Sequence, residues 1–240
     1  MCTLTFIPQK DGFLFTVNRD ESPQRAASDP IIKQYNGHKL WLAPEPISGS
    51  SNLVVNIETG RVVVLLNGGF VHHNHKPPYR KSRGVVVLEA FEAISLKNMF
   101  ETYQFEGIEP FTLVMFDRDN LGELRWDGNK VHFAEKDIFT PQIWSSAMMY
   151  RGKWQQERER WFHEFLIENP QPTNENLLWF HHSGGAHDPE NGLVMNRMNM
   201  VRTVSVSQIT IESNHCKVFL HDLMQEKEFS SEYILNQRSN

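Results

Sequence analysis

Two short apolar runs open the chain, Thr3 to Ile7 and Phe13 to Val17, separated by Pro8-Gln9-Lys10-Asp11-Gly12. The Asp-Gly pair between β-rich runs predicts a hairpin. Phe13-Leu14-Phe15-Thr16-Val17 is apolar at alternate and intervening positions alike, so this strand needs cover on both faces. Leu53 to Ile57, the turn Glu58-Thr59-Gly60 and Val62 to Leu66 repeat the pattern, and the second hairpin closes on Asn67-Gly68-Gly69. A polar loop from His72 to Arg83 follows. The segment Val85 to Ile94 begins like a strand, but the spacing of Leu88, Phe91, Ala93 and Leu96 predicts a helix. Phe111 to Phe116, Leu121 to Trp126 and Lys130 to Phe133 predict a meander, with Asp127-Gly128 as its second turn.

Tyr150 to Glu168 is the clearest helical pattern. Trp154, Trp161, Phe162, Phe165 and Leu166 fall on one side, Glu157, Arg158, Glu159 and Arg160 largely on the other, and Asn169-Pro170 stops it. A short capped helix is expected over Asn174 to Phe180, then a loop over Ser183 to Gly192, then a closing hairpin of Val201 to Ile211 and Cys216 to Leu223. Strands, helices and strands in that order suit two sheets with helices on their outer faces.

Composition changes this picture little. With 240 residues, 40% apolar and 22% charged, the chain is of ordinary globular type, and one domain over residues 1–240 is the default. The net charge of −5 and the lack of a basic stripe argue against a nucleic-acid surface. Neither a secretory leader nor an apolar run long enough to span a bilayer is read, so a soluble, cytoplasmic protein is expected. Cys2 and Cys216 are too few for a disulfide framework and fit a reducing compartment.

Cys2 stands directly behind Met1, and aminopeptidases that remove Met before small residues would leave a thiol beside a free α-amine. Reference pKa values of about 8.5 for the thiol and 7.7 to 8.0 for the amine bring both within reach of neutral pH. Nucleophile and base would then share one residue. The bland alternative is an ordinary buried cysteine. Asn18-Arg19-Asp20-Glu21 follows at the end of the first hairpin, and a solvated turn of charges is the alternative there.

The opening Met1-Cys2-Thr3, the hairpin and Asn18-Arg19-Asp20-Glu21 together resemble the NRDE family, also called the transport and Golgi organisation protein 2 family. That family in turn resembles the N-terminal nucleophile aminohydrolases of the penicillin V acylase and bile salt hydrolase type. The resemblance implies an α+β fold, a four-layer αββα sandwich. It also implies amide hydrolysis or acyl transfer on a small non-peptide substrate, without metal or organic cofactor. Cys2 would attack, Asp20 would orient the amine, and Arg19 would favour the thiolate or bind an anionic group. Asn18 or Asn67 would stabilise the oxyanion, Asn67 by its place at the end of the second hairpin. Arg202, in Val201-Arg202-Thr203, is a second charge-stabilising candidate, and Glu21 and Ser146 are candidate substrate contacts. Departures include Gly49-Ser50-Ser51-Asn52 where the family commonly shows Gly-Gly-Thr-Trp, Ser146 where the acylases place asparagine, and Arg25-Ala26 in place of arginine-proline. They imply a diverged branch, with altered substrate contacts or lost activity.

The competing reading is a non-catalytic binding or trafficking protein for haem or another hydrophobic ligand. It rests on the family's association with haem and lipid handling and on His72, His73, His75, His181, His182 and His187, placed in two loops. Met195, Met198 and Met200 near Trp179 and Phe180 are candidates for an apolar lining, core filling being their commoner use. The histidine spacings match no zinc signature.

Overall fold

A computed structural model describes residues 2–117, 119–149 and 152–236. In chain order the strands are β1 Cys2–Gln9, β2 Gly12–Glu21, β3 Ile31–Tyr35, β4 His38–Leu42, β5 Leu53–Asn56 and β6 Val62–Asn67. Helices α1 Arg83–Glu89 and α2 Leu96–Thr102 come next, then β7 Phe111–Asp117, β8 Asn120–Trp126, β9 Val131–Lys136 and β10 Gln142–Ser145. Helices α3 Lys153–Glu168 and α4 Asn174–Ser183 lead to β11 Asn196–Arg197, β12 Val201–Glu212, β13 His215–Asp222 and β14 Lys227–Ile234. The fold is mixed α+β, with antiparallel sheets and few helices. None of the helices is long and apolar enough to cross a membrane among the described residues.

The chain divides into two compact units. The first comprises residues 1–27, 139–145 and 150–240, the second 28–138 and 146–149. The first unit's sheet runs β10-β1-β2-β12-β13-β14, with β11 pairing β12. Its helices pack on one face, where Trp161, Phe162 and Phe165 of α3 and Leu177 and Phe180 of α4 bury Ile7 and Leu14. From the opposite face project Phe6, Phe13 and Phe15, whose ring centroids lie 5.2–5.8 Å apart. Both faces of β2 are thus buried, as its uninterrupted apolar run requires. The second unit's sheet is a meander in sequence order, β3 through β9, and α1 and α2 bury Val86, Val87, Leu96 and Met99 with Leu40, Val63 and Leu113.

The helix expected over Val85 to Ile94 ends at Glu89, and a separate helix begins at Leu96. Ser82 caps α1 by accepting the Gly84 N–H, and Ser95 opens a new helix by accepting that of Asn98. Between them the guanidinium of Arg61 donates to the carbonyls of Phe91, Ala93 and Ile94 and pairs with Asp117 at 2.6 Å. A side chain some thirty residues upstream therefore satisfies the backbone groups that a continuous helix would have paired. Helix α3 starts at Lys153; the expected start at Tyr150 and Arg151 lies outside the described residues. Arg158 is not on its solvent side. Three and four residues from Trp161 and Phe162, it shares their face and is fully buried, donating to Thr3 Oγ1 and to the carbonyls of Asn191 (2.9 Å) and Gly192 (2.6 Å). Helix α4 begins in a Thr173–Asn176 capping box and runs to Ser183, so His181 and His182 are helical rather than in a loop.

Gly12 does not occupy the turn for which Asp11-Gly12 argued. Gln9 pairs with Gly12, leaving Lys10-Asp11 as the two-residue loop. The glycine serves instead to admit β12: a Cβ on Gly12 would lie 1.7 Å from the Ile211 carbonyl oxygen. Gly12→Ala is expected to cost about 1–3 kcal/mol by forcing these backbones apart. Denaturant unfolding checks this, and an unchanged midpoint contradicts it.

Candidate functional site

The two-residue loop of the first hairpin fixes its register, so Cys2 opposes Arg19. On the other side of β2, Arg202 opposes Glu21 and Thr203 opposes Asp20, after which the register shifts and Ser205 opposes Arg19. Val204 is the extra residue of a bulge. Without it the isopropyl group of Val204, not the hydroxyl of Thr203, would face Asp20. Cys2 and Asp20 are 0% exposed and Arg19 is 8% exposed. Strand alternation sends Cys2 and Arg19 to the face of Phe6 and Phe15, and Asp20 to the helix-covered face with Asn18.

A polar seam occupies that covered face. Asn18 Nδ2 donates to the carbonyls of His181 (2.9 Å) and Leu193 (2.8 Å), while its Oδ1 accepts from His181 Nδ1. Since the Asn18 oxygen cannot donate, the His181 proton sits on Nδ1. Nε2 is then free to accept from Thr5 Oγ1 at 2.7 Å. Burial holds the His181 pKa down at about 3, with His182 and Arg158 adding to the effect. The seam continues through Thr203, whose hydroxyl accepts the Met195 N–H at 2.9 Å and donates to Asp20 Oδ1 at 2.7 Å, with the Leu193 carbonyl at 3.1 Å. Asp20 is thereby fixed by the same short segment, Leu193 to Met195, that Asn18 anchors.

This geometry corrects the assignment of Asn18 as an oxyanion donor: both its N–H bonds are spent on backbone carbonyls. Glu21 serves its own turn, accepting the Ser22 N–H at 3.0 Å and facing Arg25 at 3.5 Å. Arg19 Nη2 donates to the Arg25 carbonyl at 3.2 Å, which ties it to the same turn. Arg202 Nε is buried with no hydrogen-bond partner among the described residues. The Cys2 thiol is pushed up from its ordinary pKa, first by burial; the Asp20 carboxylate adds to the rise and the Arg19 guanidinium opposes it. Met1, whose removal would expose the α-amine, lies outside the described residues.

The remaining two candidates belong to the second unit and meet there. Asn67 ends β6, and its carbonyl accepts from the fully buried Ser146 Oγ at 2.7 Å. Gly68 follows at φ +87°, with Ala147 and Met148 packed where a Cβ would project. His73 Nε2 and His75 Nδ1 both lie 3.1 Å from Glu109 Oε1, whose other oxygen faces Arg83 at 3.1 Å. Burial would raise the Glu109 pKa, but Arg83 and the two imidazoles outweigh it and hold the carboxylate ionised.

Met195 is buried, whereas Met198, Met200 and Trp179 are exposed, so these residues do not converge on an apolar lining. Cys216 lies in β13, and burial pushes its thiol up to about 12. Sequence reasoning passed over Thr5, His181 as an anchor, and Thr203. Only the sheet register brings them to Asn18 and Asp20. Compared with protein-family models and with curated proteins, the chain finds no match.

A histidine whose folded pKa is about 3, against about 6.5 unfolded, takes up its proton only on unfolding. Stability from this site is complete above pH ~6.5 and falls as pH drops through the window down to about 3, by up to ~1.4 kcal/mol per unit. NMR of the imidazole is expected to show Nδ1–H and no titration above pH ~4. A titration near 6.5 contradicts the assignment.

Proposed function

We propose that the protein is an N-terminal-cysteine amidohydrolase or acyltransferase acting on a non-peptide amide of a small molecule, with an N-terminal nucleophile fold of four αββα layers. The observation that carries this reading is the register that sets Cys2 against Arg19 and beside an Asp20 locked by Thr203. Each sheet's helices on a single face are in keeping with the layered fold.

In this mechanism, removal of Met1 exposes the Cys2 amine. A thiol kept neutral by burial needs a base at hand, and the amine of the same residue takes the proton from Sγ. The thiolate forms a bond to the carbonyl carbon of the amide, the C–N bond breaks, and the ammonium returns its proton to the leaving nitrogen. Water, or an acceptor nucleophile, then cleaves the thioester and restores the thiol. Asp20 holds the amine in position and Arg19 favours the thiolate. Arg202, whose Nε has no partner among the described residues, is suited to an oxyanion or anionic substrate group.

Intact-mass analysis of natively expressed protein treated with an electrophilic acyl probe tests this. One adduct is expected, on Cys2 of a chain lacking Met1. It disappears in Cys2→Ser and forms about 100-fold more slowly in Asp20→Asn. Cys216 stays unmodified. Retention of Met1, or labelling indifferent to both substitutions, contradicts the reading.

A further inference from the structure

Two strands across the sheet from β2, on the row that pairs Asn18 with Val206 and Val206 with His221, two imidazoles face each other across the boundary between α4 and the edge hairpin. His182 Nε2 and His221 Nδ1 are 3.5 Å apart, with ring centroids 5.1 Å apart and planes inclined at 45°. Two imidazoles bound to one tetrahedral ion at ~2.0–2.1 Å have donor nitrogens about 3.3 Å apart and ring centroids about 5.2 Å apart. The pair is therefore within a few tenths of an ångström of bidentate geometry, whereas 3.5 Å is long for a hydrogen bond between ring nitrogens. His221 opposes Glu228 across β13 and β14, so both side chains leave the same face of the sheet. Glu228 is exposed and close enough to His182 to act on its charge. Burial, reinforced by His221, lowers the His182 pKa while Glu228 opposes the shift, so this ring is neutral and able to ligate at neutral pH.

We propose that His182 and His221, completed by Glu228, form a binding site for a divalent transition-metal ion of the zinc, copper or nickel class. Among the described residues no group of three or more His, Cys, Asp or Glu side chains stands in ligating position. The folded chain thus presents a two-imidazole half-site, and a rotamer change of Glu228 supplies the third ligand. Ion binding needs lone pairs on both facing nitrogens, so each ring carries its proton on the far nitrogen, His182 on Nδ1 and His221 on Nε2. The ligands come from the last turn of α4 and from two strands of the sheet edge, and a bound ion would pin β13 and β14 to the helix. His73 and His75 are a poorer pair because Glu109 already engages both.

Calorimetric titration of the full chain with zinc chloride tests the site, with far-UV circular dichroism confirming that each variant folds. One ion per chain is expected, together with a rise in thermal midpoint that a chelator reverses. His182→Ala and His221→Asn should each raise Kd by about tenfold or more and abolish the rise, since losing even an outer-shell partner costs that much. Glu228→Gln should weaken binding less. His73→Ala/His75→Ala should bind as the unaltered chain does. Absence of stoichiometric binding, or binding that survives both His182→Ala and His221→Asn, overturns the proposal.

Discussion

The first unit depends on a single buried amide. Asn18 lies on the sheet face against which α3 and α4 pack, and three hydrogen bonds join its amide to the His181 ring and to the carbonyls of His181 and Leu193. Burying such a group without partners costs about 1–3 kcal/mol. Satisfying it fixes where α4 ends and where the Leu193 segment returns to the sheet. A purely apolar contact would let the helix slide; this one specifies a position. The fully buried Arg158 does the same from α3, joining Thr3 of β1 to the carbonyls of Asn191 and Gly192. Two polar anchors therefore hold the Asn191–Met195 stretch from either side.

That stretch sets the chemistry of the site. Leu193 and Met195 present the backbone groups that orient the Thr203 hydroxyl, and Thr203 in turn orients Asp20. The bulge at Val204 is the device that makes this possible. The sheet places the Cys2 thiol and the Arg19 guanidinium on one face and the oriented carboxylate on the other. In the mechanism proposed above, Asp20 would act on the backbone end of Cys2, where the α-amine serves as base.

Much of the strand framework was legible because hairpin turns are local. A two-residue loop at Lys10-Asp11 fixes every pair along β1 and β2, so the pairing of Cys2 with Arg19 follows from the turn alone. The edge strands β3 and β14 were missed because they are largely exposed and their few apolar residues, Ile31 and Ile32 in one and Phe229, Tyr233 and Ile234 in the other, show no alternation. The break between α1 and α2 was hidden because Arg61, remote in sequence, takes the carbonyls. The burial of Arg158 was readable in its spacing from Trp161 and Phe162, but charge weighed against it. Thr203 and His181 were invisible as partners of Asp20 and Asn18, since 183 and 163 residues separate them and a bulge intervenes.

In the proposed mechanism Asp20, held by Thr203, governs the α-amine of Cys2. NMR titration of that amine, in chain whose Met1 has been removed, measures it directly. With Asp20 in place the amine should retain a higher pKa than in Asp20→Asn, by about one unit, as expected for an opposite charge a few ångströms away. Identical amine pKa values in the two proteins would contradict the account.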